Sequence, residues 1–288
     1  MALLASTSVS SCHECVATLS LPLALFLVLA ETAAGGIVTV AYLRASGGIT
    51  DGFLKFATVT YAVLAGLALL VVWAGPPASY RTLFAINEGA AGGLAGLMSL
   101  LLLALIAQSV LAFRGQSHLG KGSAATITAS ALLLVGLGVT FWPAAGSTVG
   151  GVLLVLLFVI STVVLGAATT GMLLGHWYLV TPALTNRPLL RAIVILVAGL
   201  LLQAAVFPLA LGGLRSSASP GQALGLSPVL TWLWVLGAVI LPLLAAAPAI
   251  VTCRLRSFMS TTGLLYLAMI ALLPGQLLGQ LVFFVAAA

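Results

Sequence analysis

The amino-acid sequence predicts an all-α integral membrane protein, a polytopic bundle of about eight transmembrane helices. Hydrophobic residues make up 62% of the chain and charged residues only 5%, whereas ordinary soluble domains carry about a quarter charged residues. Apolar runs of roughly 20 residues recur, which is the length that a helix needs to cross a hydrocarbon core of about 30 Å. The runs lack the alternation of β-barrel strands, so helices are predicted.

The apolar runs and the Gly, Pro and Ser clusters between them place the helix boundaries. The predicted helices cover residues 19–43, 53–74, 88–113, 123–142, 147–180, 188–212, 228–251 and 258–286. We expect residues 1–18 to form a short extracytoplasmic segment and residues 19–288 to form a single transmembrane domain. No basic residue precedes the first apolar run, so we expect the first helix to be retained rather than removed as a signal peptide.

The basic residues predict the orientation in the membrane. Eight of them fall in or beside the connections after helices one, three, five and seven: Arg44, Lys55, Arg114, Lys121, Arg187, Arg191, Arg254 and Arg256. Only Arg81 and Arg215 fall on the opposite side. Short loops rich in Lys and Arg stay in the cytoplasm, so both termini are expected outside, across a bacterial inner membrane. The net charge of +6 is scattered along the chain and indicates no nucleic-acid partner.

Glu31 lies half-way along the first predicted helix. A carboxylate at that depth is costly, so it should face the bundle interior and be protonated or meet a partner. The sequence leaves two roles open for it. It is either a proton-handling or ligand-binding acid, or a protonated side chain that is hydrogen-bonded to a neighbouring helix.

Small and amide residues predict helix contacts. Glu31 opens a segment with Gly35 and Gly36, and Glu88 opens a similar one in the third helix with Gly92 and Gly93. A duplicated helix pair would produce this similarity, but both glycine pairs are interpreted first as packing faces. Gln276 and Gln280 share one face of the last helix because they are four residues apart. Gln203 is the main buried polar residue predicted for the sixth helix.

Residues 171–182 combine a histidine, two aromatic rings and a proline at the end of the fifth helix. That helix would be about 50 Å long at 1.5 Å per residue, so it should be tilted, broken near residues 169–171, or extended into the cytoplasm. One hypothesis is a quinone site. In it His176 hydrogen-bonds a quinone carbonyl, Trp177 and Tyr178 flank the quinone ring, and Gly175 allows a flat ligand or another helix to come close. The alternative is an interfacial aromatic belt.

Other cofactors are less favoured. A bis-histidine haem is not expected, because His13 and His118 fall outside the predicted membrane spans, although a methionine ligand stays open: Met98, Met259 or Met269. The segment Cys12-His13-Glu14-Cys15 has the spacing of half a metal site but lacks a second pair of ligands. No metal site is therefore predicted.

The layout resembles the membrane anchor subunits of polysulfide and dimethyl sulfoxide reductases (the NrfD/DmsC-like class). The resemblance rests on eight helices with outside termini, on Glu31 with Gly35-Gly36, and on the segment Thr262-Gly263-Leu264-Leu265-Tyr266. It implies a subunit that binds quinone and docks redox partners without a haem of its own. The segment Gly175-His176-Trp177-Tyr178-Leu179 also resembles uncharacterised bacterial multi-helix proteins, which implies no function.

Three functions follow. The first is a quinone-interacting subunit of a respiratory or redox assembly. The second is a proton-coupled transporter or permease of small solutes in which Glu31 is the coupling acid. The third is a structural or assembly protein without chemistry of its own.

Overall fold

The computed structural model describes the backbone of residues 2–115, 119–180, 185–217 and 219–288, with side chains from residue 15 onward except at 119–120. Helices account for 88% of the structure, and the described ranges contain no strand. Eight helical crossings are long and apolar enough to span a membrane. The predicted all-α polytopic bundle is therefore confirmed, and the chain is a multi-pass membrane protein.

The described residues form ten α-helices, of which nine build the eight crossings and the short α7 lies between the sixth and the seventh. Their bounds are α1 Ala2–Ala45, α2 Asp51–Ala74, α3 Glu88–Phe113, α4 Leu119–Phe141, α5 Thr148–Val180, α6 Arg187–Gly212, α7 Pro220–Gly225, α8 Pro228–Trp234, α9 Leu241–Arg254 and α10 Phe258–Ala287. A π-helical segment, Val235–Ile240, joins α8 to α9, so the seventh crossing runs from Pro228 to Arg254. Short 3₁₀ turns occupy Pro77–Thr82 and Trp142–Ala144.

The structure differs from the sequence-based prediction at the start of α1 and in the short helix α7, and it excludes the break that was one of the three alternatives for α5. Helix α1 begins at Ala2 instead of residue 19, because residues 2–18 contain no glycine or proline to end it. Helix α5 is continuous through residues 169–171, where the Thr169 hydroxyl donates to the Leu165 carbonyl inside the same helix. The short helix α7 was not predicted.

The crossings form two halves with the same order of neighbours. Helix α1 packs on α2, α2 on α3, α3 on α4, and α4 on α1; in the second half α5 packs on α6, α6 on α9, α9 on α10, and α10 on α5. Helix α1 contacts both α5 and α10 across the boundary. These three helices have most of their membrane-spanning residues buried, whereas the other crossings have fewer than half. The boundary between the halves is therefore the core of the protein.

The two ends of the bundle differ in charge and in the contacts that close them. At the end where α1 finishes, the Arg191 guanidinium donates to the Ser46 carbonyl at 3.0 Å, and the Asn186 amide donates to the Cys253 carbonyl at 3.0 Å. These bonds bring together three of the connections at this end, which carry six of the ten basic residues. At the opposite end, aromatic rings close the core in mutual contact: Phe84, Phe141, Phe158, Phe283 and Phe284.

Candidate functional site

Glu31 is fully buried and reaches across the boundary between the two halves. The Ser161 hydroxyl of α5 lies 2.6 Å from its Oε2 atom. The Gln280 side-chain amide of α10 donates to both carboxyl oxygens at 3.4 Å. The acid belongs to the first half, and these two partners belong to the second half.

The hydrogen bonds continue from Ser161 into an amide pair. The Ser161 hydroxyl also lies 3.3 Å from Oε1 of Gln276 on α10. Gln276 and Gln203 of α6 exchange two reciprocal amide hydrogen bonds of 2.9 Å each. Five polar side chains from four helices thus form one buried cluster: Glu31, Ser161, Gln203, Gln276 and Gln280, hereafter the polar cluster.

The distances around Ser161 indicate a protonated Glu31. A serine hydroxyl has one proton to donate, yet two acceptor oxygens lie within hydrogen-bonding distance. Both contacts are hydrogen bonds if the acid donates to Ser161 and Ser161 donates to Gln276. Within the described side chains the only ion pair joins Arg81 to Glu88, so Glu31 has no cationic partner there. A neutral acid is also the less costly form in a membrane interior.

Glycines bring the backbones of α1 and α5 together one turn from the polar cluster. A Cβ atom on Gly35 would lie 1.8 Å from the carbonyl oxygen of Thr162, and one on Gly166 would lie 2.1 Å from the carbonyl carbon of Gly35. Gly36 lies against the ring of Tyr61, whose hydroxyl is 2.7 Å from that of Thr170. Gly35 and Gly36 therefore lie at helix contacts.

A small cavity of about 10 Å³ adjoins the polar cluster. That is close to the smallest space that holds one water molecule, and polar partners around it favour occupancy. Four of its lining side chains are polar and belong to the cluster, and three are phenylalanines: Ser161, Gln203, Gln276, Gln280, Phe158, Phe207 and Phe283. Glu31 reaches the cavity wall through its bonds to Ser161 and Gln280. The aromatic side of the cavity points toward the end of the bundle that the phenylalanines close.

The seventh crossing is distorted where it packs against α10, next to the polar cluster. A Cβ on Gly275 would lie 2.3 Å from the backbone of Gly237 and Ala238, which belong to the π-helical segment. One residue farther, Gln276 lies in the polar cluster. π-Helical turns inside α-helices are frequently found at functional sites.

The residues of the predicted quinone site do not share one pocket. His176 is exposed, Trp177 packs against the rings of Phe53 and Phe56 on α2, and Tyr178 is buried with its hydroxyl donating to the Thr185 carbonyl. Gly175 faces α10, where a Cβ would lie 2.9 Å from the Thr262 hydroxyl. Successive helical residues point about 100° apart, so the side chains diverge. Residues 181–182, the predicted stop of this helix, lie outside the described residues.

The second glutamate–glycine segment has different surroundings. Gly92 and Gly93 are exposed, and a Cβ at either would have open space within 4 Å. Within the described residues neither glycine contacts a facing helix, so their role as a packing face stays a prediction. Glu88 is the first residue of α3 and forms an exposed ion pair of 3.3 Å with Arg81, whereas Glu31 lies buried in the middle of its crossing.

The possible metal and haem ligands are dispersed. Among the described residues no three His, Cys, Asp or Glu side chains could hold a metal ion together. Cys15 is an exposed free thiol; the side chains of Cys12 and His13, and all of His118, lie outside the described part. The sulfur of Met269 lies 3.9 Å from the Thr169 hydroxyl. Thr169 is seven residues before His176 on α5. Met259 is exposed, and Met98 is buried in α3.

Sequence reasoning identified four members of the polar cluster and missed Ser161. Glu31, Gln203, Gln276 and Gln280 stand out because acids and amides are rare in apolar helices. Serine is common in such helices, where its hydroxyl normally bonds to its own backbone. A signal was nevertheless present, since Ser161 lies half-way along the fifth apolar run, at a depth similar to that of Glu31.

No protein-family model matches the chain, and neither the curated proteins nor the solved structures yield a significant match. The functional argument therefore rests on the geometry of the polar cluster.

Proposed function

We propose that the chain is a proton-coupled carrier of small solutes, in which Glu31 takes up and releases a proton at the boundary between the two halves. One observation carries this proposal: the buried acid of the first half makes its side-chain hydrogen bonds to Ser161 and Gln280 of the second half. Any relative movement of the halves changes the surroundings of the carboxyl group and therefore its proton affinity.

Two structural features support a carrier. Many transporters consist of two repeated halves with the coupling site between them near the middle of the membrane. The repeated neighbour order of the two four-crossing halves fits that architecture. The π-helical segment also supplies an irregular helix beside Gln276, comparable to the interrupted helices of transporters.

The carrier is proposed to lie in a bacterial inner membrane with both termini outside. The end of the bundle that holds eight of the ten basic residues would face the cytoplasm. Gln280 lies seven residues before the end of α10, roughly 10 Å at 1.5 Å per residue. Gln280 would then lie on the outer side of the polar cluster, below the phenylalanine rings, with Glu31 and Ser161 near the middle of their crossings.

Proton exchange at Glu31 tests this proposal directly. Infrared difference spectra recorded between acid and alkaline pH should show the C=O band of a buried carboxylic acid in the wild type and in Glu88→Gln, but not in Glu31→Gln. In proteoliposomes with an internal pH dye, a panel of small solutes should include one that drives proton flux, and Glu31→Gln should abolish that flux. A Glu31 carboxyl that never exchanges its proton would refute the carrier.

A redox subunit of the NrfD/DmsC-like kind is the second candidate. The exposed position of His176 near the basic end of the bundle favours it, because a quinone or a partner subunit could reach the imidazole from outside the chain. Affinity purification from native membranes in mild detergent, with mass spectrometry and an optical spectrum, tests it. Iron–sulfur or cytochrome subunits should co-purify, and His176→Ala should reduce quinone turnover. A colourless protein that elutes alone would refute a stable redox complex. If Glu31→Gln also left the proton flux unchanged, a structural role would be the function that is left.

A further inference from the structure

We infer that the cavity beside the polar cluster is a binding site for a single small monovalent metal cation, such as sodium, which competes with the proton of Glu31. This inference rests on the proposed function and names the solute that the carrier exchanges for protons. It follows from the oxygen atoms around the cavity, from the local charge and from the available space.

The oxygen atoms come from side chains that can turn toward the cavity. Ser161, Gln203, Gln276 and Gln280 line it, and each carries one oxygen that can act as an electron-pair donor. The carboxyl group of Glu31 lies one hydrogen bond away through Ser161 at 2.6 Å. Hard cations prefer such carboxylate, hydroxyl and amide oxygens. Nitrogen or sulfur ligands, which softer metals prefer, are not among the lining groups.

The charge of the site admits one positive charge. Glu31 is the single acid of the polar cluster, and the ionised form would place one negative charge in the membrane interior. A proton or a monovalent cation neutralises that charge, whereas a divalent ion would leave a net positive charge in a low-dielectric site.

Within the described residues no other charged group lies at the same depth. The titratable described side chains on the helices around Glu31 are Cys15, Tyr42 and Arg44 on α1, Asp51, Lys55 and Tyr61 on α2, Lys121 on α4, His176 and Tyr178 on α5, Arg187 and Arg191 on α6, and Tyr266 on α10. Of these, Tyr61 lies against Gly36, and its hydroxyl is bonded to Thr170. Those on α1, α5, α6 and α10 lie at least ten residues along their helices from the nearest member of the polar cluster, about 15 Å at 1.5 Å per residue, and Asp51, Lys55 and Lys121 lie within the first five residues of α2 and α4.

The volume restricts the ion to a small, dehydrated cation. A cavity of about 10 Å³ accommodates one water-sized species. A dehydrated sodium or potassium ion is no larger than that, whereas an organic cation requires several times the space. The three phenylalanines on the remaining wall supply no further ligands, so they keep bulk water from the ion.

Proton and sodium then exclude each other. With the proton bound, Glu31 donates to Ser161 and Ser161 donates to Gln276, as the 2.6 Å and 3.3 Å distances indicate. When sodium binds, the O–H bond of the acid breaks, the proton leaves to water, and the carboxylate and the Ser161 oxygen turn their lone pairs to the ion. Binding of a metal to a group that must first lose a proton releases that proton and weakens at acid pH.

Ion-dependent stability of the purified full-length protein tests the inference. Thermal unfolding in detergent is followed by tryptophan emission at constant ionic strength, with sodium chloride replacing choline chloride. A ligand that binds only the folded state raises the midpoint in a saturable manner. Sodium should do so, and at a pH where Glu31 starts protonated it should release about one proton per bound ion, whereas choline should not.

Variants assign the effect to the site. Glu31→Gln should lose the sodium response, and Glu88→Gln, which alters only the exposed ion pair, should keep it. Ser161→Ala should weaken sodium binding about tenfold, the equivalent of about 1.4 kcal/mol. Ser130→Ala is its matched control, because that buried hydroxyl bonds to the Thr126 carbonyl of its own helix at 2.8 Å.

The outcomes separate this inference from the carrier itself. A response that choline reproduces, or that Glu31→Gln and Ser161→Ala both retain, overturns the sodium site. If the infrared titration shows proton exchange at Glu31 but sodium changes nothing, the cavity holds only a water molecule and the carrier proposal stands without sodium. If Glu31 exchanges no proton, both fail.

Discussion

Replacing Gly35 by alanine should separate the two halves of the protein. The added Cβ would lie 1.8 Å from the Thr162 carbonyl oxygen and 2.7 Å from its carbon, whereas carbon–oxygen contacts between packed helices are about 3.3–3.6 Å. The helices must therefore move apart by roughly 1.5 Å. The clashing atoms belong to the backbone of α5, so no side-chain rotation can relieve the contact.

The expected cost has two parts. Overpacking of a core costs about 1–3 kcal/mol. Gly35 is also one turn from Glu31 on the same face of α1, so the displacement stretches the 2.6 Å contact with Ser161 beyond hydrogen-bonding range. Hydrogen bonds between membrane helices contribute about 0.6 kcal/mol on average and up to about 1.7 kcal/mol. We expect Gly35→Ala to lower the free energy of unfolding by about 2–4 kcal/mol.

Gly92→Ala is the matched control, because it makes the same change in a helix with nothing within 4 Å of the new atom. There alanine should be neutral or should stabilise by up to about 1 kcal/mol through its greater helix propensity. Both variants are unfolded with sodium dodecyl sulfate in mixed micelles and followed by tryptophan emission. Equal stability of the two variants would refute the close backbone contact of α1 with α5.

Three further substitutions test other contacts in the same unfolding assay. Tyr61→Phe removes the buried 2.7 Å hydrogen bond to Thr170 and should cost about 1 kcal/mol; no loss would mean that the bond does not form. Gln203→Leu leaves the Gln276 amide without its reciprocal partner and should cost about 1–3 kcal/mol, and an unchanged stability would argue against the amide pair. His176→Ala changes an exposed side chain and should stay within about 0.5 kcal/mol of the wild type; a larger loss would show that the imidazole has a partner.

The number and position of the membrane crossings follow from the sequence because each depends on local composition. An apolar run long enough to cross the bilayer forms a helix wherever nothing interrupts it, since every backbone group must be hydrogen-bonded within the segment. Residues 2–18 contain no glycine or proline to interrupt the helix. Helix α1 therefore continues to Ala2, beyond the apolar run used to predict its start. Local composition identifies a helix more reliably than it identifies where the helix begins.

The partners of the polar residues depend on tertiary packing and could not be read from local patterns. Glu31 and Ser161 are 130 residues apart in the chain, and only the contact between α1 and α5 brings them together. The structure does not bring His176, Trp177 and Tyr178 to one side of α5, and the sequence already contains the reason. Three successive helical residues cannot face one ligand, because each is rotated by about 100° from the last.

The two glutamate–glycine segments show how one local pattern acquires two roles. Glu31 lies in the middle of a crossing, so Gly35 one turn later meets a facing helix and lets its backbone come close. That close approach is what allows the short Ser161 side chain to reach the carboxyl group across the boundary. Glu88 begins its helix at the surface, where Arg81 neutralises it and the following glycines meet no helix. The buried contact of Glu31 with Ser161 therefore depends on the glycine contact as much as on the acid, and a wider boundary would leave Glu31 without the Ser161 hydroxyl.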